Sequence, residues 1–245
     1  MIEIRGVRAV LTDIEGTTTS LAFVHEQLFP YARKNLAGYV RQHESELGDI
    51  ASQIEAATGR GGLGTHEIVA ILLQWMAEDR KLTPLKTLQG MIWRSGYDAG
   101  RLQGHVYDDA VRALREWHAN GIGIFIYSSG SVEAQRLLFS HSSHGDLTPL
   151  LSGYFDTTTG AKLDSRSYDS IARSIGLGAQ SIVFLSDHPG ESHAAAAAGM
   201  RSVLVAREEA ARDAGPGRDP EPGSNSERGR TYPAVRSFDD LRLSA

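Results

Sequence analysis

Cysteine is absent from the 245 residues. Disulfides, thiolate nucleophiles and cysteine-ligated zinc are excluded by that alone. A reducing compartment is compatible with the lack. Long apolar runs are also missing, and none approaches the ~18 residues of a membrane span. No block of five or more basic residues occurs, and the formal net charge is -5. Such a chain is poorly suited to neutralising a nucleic-acid backbone, so no nucleic-acid partner is expected. The opening stretch, MIEIRGVRAVL, carries an early acid and lacks the apolar centre of a leader peptide. A cytoplasmic protein without a membrane partner is the expectation.

What remains is an ordinary globular composition, 41% hydrophobic and 22% charged. A chain of this length buries a sizeable core, as one large α/β domain or as a core with an insert. Four short apolar runs read as buried strands: Val7 to Leu11, Gly121 to Tyr127, Ser181 to Leu185 and Arg201 to Val205. Their near-continuous apolarity suits parallel strands covered on both faces. Helical patterns separate them. VYDDAVRALREWHANG, SVEAQRLLFSHS, RSYDSIARSIGLG and ESHAAAAAGM each fit a helix, and Gly121 suits the end of the first. Strand and helix alternate, so the spacing predicts a doubly wound parallel sheet of the α/β class.

Residues from about Leu21 to Gly104 break that rhythm. They read as helices with a glycine-rich loop, TGRGGLG, among them, and so as a helical insertion after the first strand. The expected division is a core of residues 1–20 and 105–245 and a helical insert of residues 21–104. Near the C-terminus, DAGPGRDPEPGSNSERGR reads as a mobile or partly disordered loop. No repeat or coiled-coil pattern is present, which makes a monomer the default expectation.

In parallel α/β sheets ligands bind beyond the carboxyl ends of the strands. Asp13 and Glu15 follow the first strand, Ser128 and Ser129 the second, and Ser186, Asp187 and His188 the third. Lys162 precedes the helix that leads into the third strand. Asp13 and Asp187 offer hard oxygen ligands that suit Mg²⁺. The serines and helix N–H groups suit a phosphate. Lys162 adds charge that stabilises a phosphoryl group in transfer, and an aspartate can itself attack phosphorus. Singly, each position is common turn or capping chemistry. Together, in one chain order, they point to phosphoryl transfer on a small-molecule phosphate.

That order resembles the haloacid dehalogenase superfamily. The resemblance implies that Asp13 is the nucleophile, that the acid two residues on serves as general acid and base, and that Asp187 completes a Mg²⁺ site. It also implies that the helical insert is a cap domain. DIEGTTTS, FVHEQLFPYARKNL, YSSGSVEAQRLLF, FDTTTGAKLDSRSY and FLSDHPGE are further similar to the enolase-phosphatase E1 family, with Glu15 where relatives outside it carry Asp. In that family one site enolises 2,3-diketo-5-methylthiopentyl-1-phosphate and then hydrolyses it to the acireductone of methionine salvage. Carried over, Asp13, Glu15 and Asp187 become metal contacts, with Asp13, Glu15 and Lys162 catalytic. Ser128, Ser129 and Lys162 become substrate contacts. Glu191 falls on a family acid that holds metal waters or Lys162. His25 and His188 stand beside Glu15 as bases for the enolisation, and His105 reads as structural. Ala161 in place of a proline and the HPG after Asp187 depart from the family pattern. Two other readings stay open: a different phosphatase or phosphomutase of the superfamily, and a sensor that binds Mg²⁺ or phosphate without turnover.

Overall fold

The computed structural model describes residues 1–207 and 232–245. The Gly/Pro-rich stretch read above as a mobile loop lies outside them. The described chain forms two compact units, residues 1–23 with 104–245, and Val24–Gln103.

The first unit carries strands β1 (Ile2–Arg5), β2 (Ala9–Thr12), β3 (Gly123–Tyr127), β4 (Gly153–Phe155), β5 (Ile182–Ser186), β6 (Arg201–Val205), β7 (Ala234–Val235) and β8 (Leu241–Ser244). Six of them form one parallel sheet in the order β4-β3-β2-β5-β6-β7. The chain runs outward from β2 through β3 to β4, then returns to β5 on the other side of β2. The switch in direction therefore falls between β2 and β5, where open α/β sheets place their ligands. The sequence expected four strands. It missed β4 and β7, which are three and two residues long. It also missed a second, two-stranded parallel sheet that pairs β1 with β8.

The apolar runs become strands because both of their faces are buried. On one face Ala9 and Leu11 of β2 join Tyr127, Ile182 and Phe184. Tyr168, Ile171 and Ala172 of helix Ser165–Ile175, and Ala194 and Ala195 of helix Pro189–Ala197, pack against them. The alternate residues Val10, Ile124, Ile126, Val183 and Leu185 point the other way and are fully buried as well. Helix Asp108–Ala119 precedes β3. Its stop is encoded as expected: Gly121 takes φ +74° and its N–H donates to the His118 carbonyl.

The second unit is helical. In chain order its α-helices are α1 (Phe29–Gln42), α2 (Gly48–Thr58), α3 (Thr65–Ala77) and α4 (Thr83–Asp98). The helices of the first unit are then α5 (Asp108–Ala119), α6 (Val132–Ser140), α7 (Ser165–Ile175) and α8 (Pro189–Ala197). Pro30 sits in the first turn of α1, where its missing N–H costs nothing. A π-helical turn, Phe23–Leu28, precedes it. Leu36, Ile54, Leu72, Leu85 and Leu88 are the fully buried centre of this unit. A Cβ on Gly96 would come within 2.7 Å of the Tyr31 ring, so α1 and α4 pack close only with glycine there.

Leu11 sits in the central strand with no exposure. Replacing it by alanine removes buried methyl groups from both the sheet and the α7–α8 layer. Leu11→Ala should destabilise the protein by about 2–5 kcal/mol, read as a lower urea midpoint with an unchanged slope. A loss below about 1 kcal/mol would contradict the placement of this residue in the core.

Candidate active site

β2 fixes the first acid. Its residues lie opposite β3 and β5 in register, Thr12 beside Ile126 and Leu185. Asp13, one residue on, therefore stands at the strand exit between its two neighbours. Its N–H continues the ladder to the Leu185 carbonyl at 2.9 Å. One carboxylate oxygen, Oδ1, accepts from the Ile14 N–H at 2.7 Å. The other, Oδ2, lies 2.7 Å from the Lys162 ammonium. Asp13 is 6% exposed, so this pair is largely withdrawn from water.

The chain then turns back on itself. The N–H groups of Thr17, Thr18 and Thr19 all donate to the Ile14 carbonyl. Gly16 takes φ +67°, and a Cβ there would stand 2.3 Å from an Asp187 carboxylate oxygen. Only glycine lets the turn close against Asp187. The Thr17 hydroxyl accepts the Asp187 N–H at 3.0 Å, which ties the loop after β2 to the loop after β5. Glu15 is half-buried in this turn, and its backbone bridges to Thr19.

Lys162 is the centre of charge. Its Nζ is 2.7 Å from Asp13 Oδ2 and 2.7 Å from Glu191 Oε2. The Ser186 hydroxyl donates to the same Glu191 oxygen at 2.9 Å. The Lys162 carbonyl accepts from the Tyr168 hydroxyl at 2.8 Å, and the Tyr127 ring lies 5.7 Å from the ammonium. Burial disfavours the charged lysine, but Asp13 and Glu191 outweigh it and hold its pKa above the usual value. Two neighbouring carboxyls are raised as well. Burial, with the charges of Asp13 and Glu191, pushes Asp187 up to about 7. Burial and Asp13 raise Glu191 too, with Lys162 and Ser186 opposing. Three carboxyls thus crowd around one lysine, whose charge opposes but does not offset the burial and repulsion that raise Asp187.

Ser128 and Ser129 follow β3. Ser128 is buried, and its hydroxyl accepts the Gly130 N–H at 3.2 Å. Ser131 caps α6 by accepting from the Ala134 N–H. Gln135 pins the loop from below, donating from Nε2 to the Gly130 and Phe155 carbonyls at 2.8 Å each. Ser129 is half-buried in the same loop.

Among the expected residues, Asp13, Lys162 and Glu191 touch directly, Asp187 is coupled to Asp13 and Glu191 by charge, and the serines stand on the adjoining strand exit. The HPG departure has a physical reading: His188 is the N-cap of α8, its Nδ1 accepting from the Gly190 and Glu191 N–H groups, with Pro189 in the first turn. That use competes with a role as base. His25 is exposed within the second unit. His105 serves structure as read, its carbonyl accepting from the Thr19 hydroxyl and its Nδ1 from the Ser20 N–H. Sequence reasoning missed Thr17, Tyr127, Tyr168 and Gln135 as supports. The GTT triplet was the available signal for Thr17.

Fold and site define a class, a hydrolase of the haloacid dehalogenase-like type, and the sequence profile of haloacid dehalogenase-like hydrolases matches residues 7–199. The enolase-phosphatase E1 of Hahella chejuensis is 48% identical over 246 residues, covering 99% of each chain. That of Pseudomonas aeruginosa is 53% identical over 213 residues, 86% of this chain and 94% of its own. Among solved structures, the Unknown transcript 4 protein of Saccharomyces cerevisiae superposes with a TM-score of 0.76 at 34% identity, covering 96% of this chain and all of its own. The chain belongs to the enolase-phosphatase E1 family of the haloacid dehalogenase-like hydrolases.

The raised Asp187 carboxyl gives a test by pH. Between about 4 and about 7 the folded protein holds a proton there that the unfolded chain has released, so stability falls as pH rises through that window. Asp187→Asn mimics the protonated form. In EDTA it should melt above wild type at pH 5, and by a wider margin at pH 8. Equal melting differences at both pH values would contradict the raised pKa.

Proposed function

We propose that this chain converts 2,3-diketo-5-methylthiopentyl-1-phosphate to acireductone and phosphate, enolising the diketone and then hydrolysing the ester. The observation that carries the reading is Lys162 held between Asp13 and Glu191 at the strand exits, in a chain about half identical to enolase-phosphatases. The helical Val24–Gln103 unit is, on this reading, the cap that selects the substrate.

Among the described residues no cluster of three or more His, Asp or Glu side chains forms a ready-made metal cage. The donors present still fit Mg²⁺, which takes few protein carboxylates and keeps waters. Asp13 and Asp187 would supply hard oxygens and the Glu15 backbone carbonyl a third, and Asp187, raised by burial and by the charges of Asp13 and Glu191, would gain a positive neighbour in a divalent cation. When bound, Mg²⁺ supplies positive charge against the phosphoryl oxygens and the developing enediolate.

The protein groups divide the remaining work. Ser128 and Ser129, with N–H groups at the start of α6, hold the phosphate. Lys162 orients Asp13 and offsets charge on the phosphoryl group. A carboxylate oxygen of Asp13 forms a bond to phosphorus while the bond from phosphorus to the substrate oxygen breaks. Glu15 gives its proton to that leaving oxygen. Water then attacks the aspartyl-phosphate, Glu15 takes a proton from it, and phosphate leaves with Asp13 restored. Glu15 is the assigned base of the enolisation as well, since His188 is engaged as a helix cap.

Asp13→Asn should keep its fold by circular dichroism and lose phosphate release by about a thousandfold or more, the scale expected when a nucleophile is removed. An ultraviolet assay of enol formation, run beside a phosphate assay with Mg²⁺, separates the two steps. Phosphate release by Asp13→Asn at the wild-type rate would sink the nucleophile assignment. Rapid hydrolysis of simple phosphomonoesters without enol formation would sink the substrate.

A further inference from the structure

We propose that Arg207 is a positioning residue for the site, acting through Thr17 on Asp187. The proposal rests on the reading of Asp187 as a metal ligand.

Arg207 follows β6 and is 9% exposed. Its Nε and Nη2 both donate to the Thr17 carbonyl, at 3.0 and 2.8 Å. Its Nη1 donates to Asp109 Oδ2 at 2.7 Å. The guanidinium carbon lies 4.1 Å from the Tyr107 ring centre and 5.1 Å from that of Phe238. Asp109, also buried, accepts from the Ser237 hydroxyl, the Phe238 N–H and the Ala110 N–H as well. Burying a charge pair is costly unless every lone pair and proton is met. Here both partners are bonded several times over, so the arginine is held in one place.

What it holds is the turn that closes on Asp187. The Thr17 carbonyl is fixed by two donors of one planar fork. The Thr17 hydroxyl accepts the Asp187 N–H at 3.0 Å. Gly16, the residue before, presses its Cα face against the Asp187 carboxylate. The Tyr107 N–H meanwhile donates to the Thr18 carbonyl at 2.9 Å, and the Tyr107 ring stacks on the arginine. Arg207 touches none of the reacting groups. It sets the distance between the β2 turn and the β5 exit, and so between Asp13 and Asp187. A lysine would bring the charge without the fork and could not serve Thr17 and Asp109 together.

The test uses the full chain with Arg207→Lys, and the pair Arg207→Met with Asp109→Leu. The paired variant removes both buried charges together and so spares the fold the cost of an orphaned one. Three quantities are read: Mg²⁺ affinity by calorimetry, kcat and KM on the diketone phosphate, and Tm. Arg207→Lys should weaken Mg²⁺ binding by about tenfold or more, the scale for groups that orient metal ligands. Its kcat should fall with it, while KM for the phosphate ester stays within about twofold, because only the transition state needs the metal carboxylates in register. The paired variant should recover Tm and leave Mg²⁺ binding weak. Wild-type Mg²⁺ affinity in Arg207→Lys, or affinity that returns with Tm in the paired variant, would overturn the proposal. Should wild type fail to turn over the diketone phosphate, the functional reading fails, and calorimetry still decides the role of Arg207.

Discussion

The ammonium of Lys162, 2.7 Å from both Asp13 and Glu191, is the contact on which the site depends. Three acidic side chains converge at the exits of two neighbouring parallel strands. Without a cation among them their mutual repulsion would open the crevice or force protons onto them. The lysine keeps Asp13 placed at the strand end. The sheet holds the lysine in turn, because Tyr168 of α7 fixes its carbonyl and Glu191 of α8 fixes its charge. Each of those helices packs on the face that contains Leu11 and Phe184. The apolar core therefore determines where the charges stand.

Turn chemistry completes the arrangement. Gly16 and Thr17 bring the loop after β2 against Asp187, and the Arg207–Asp109 pair holds that loop from behind. The protein keeps two kinds of charged group around this loop, one buried and one half-buried. Asp109 and Arg207 are bonded to each other and to several further partners and belong to the scaffold. Asp187 is raised by burial and by the charges of Asp13 and Glu191, with the charge of Lys162 opposing only in part, a perturbation of the kind that clusters at functional sites.

Much of this was legible before any coordinates. Buried parallel strands write themselves as continuous apolar runs, so β2, β3, β5 and β6 stood out, and their exits led to Asp13, Ser128 and Asp187. β1 and β8 did not stand out. Each is four residues long with alternating exposure, and they pair across the whole chain, Ile2 with Leu241. No local pattern encodes a partner that far away. The same distance hid Arg207, whose partners lie 98 and 190 positions before it. Glu191 came from family resemblance, since nothing in FLSDHPGE says that its carboxylate turns toward a lysine 29 positions earlier in the chain. HPG, which departs from the family pattern, supplies the cap and the first turn of α8. A histidine with a free ring nitrogen can do there what serine or aspartate does elsewhere.

The central claim is a covalent phosphoryl group on Asp13. Its most direct measurement is an acid-quenched single turnover of the diketone phosphate, reduced with borohydride and digested for mass spectrometry. An aspartyl-phosphate is reduced to homoserine, so the account predicts homoserine at position 13 and nowhere else. Phosphate release at the normal rate with position 13 unreduced, or with homoserine at another aspartate, would contradict it.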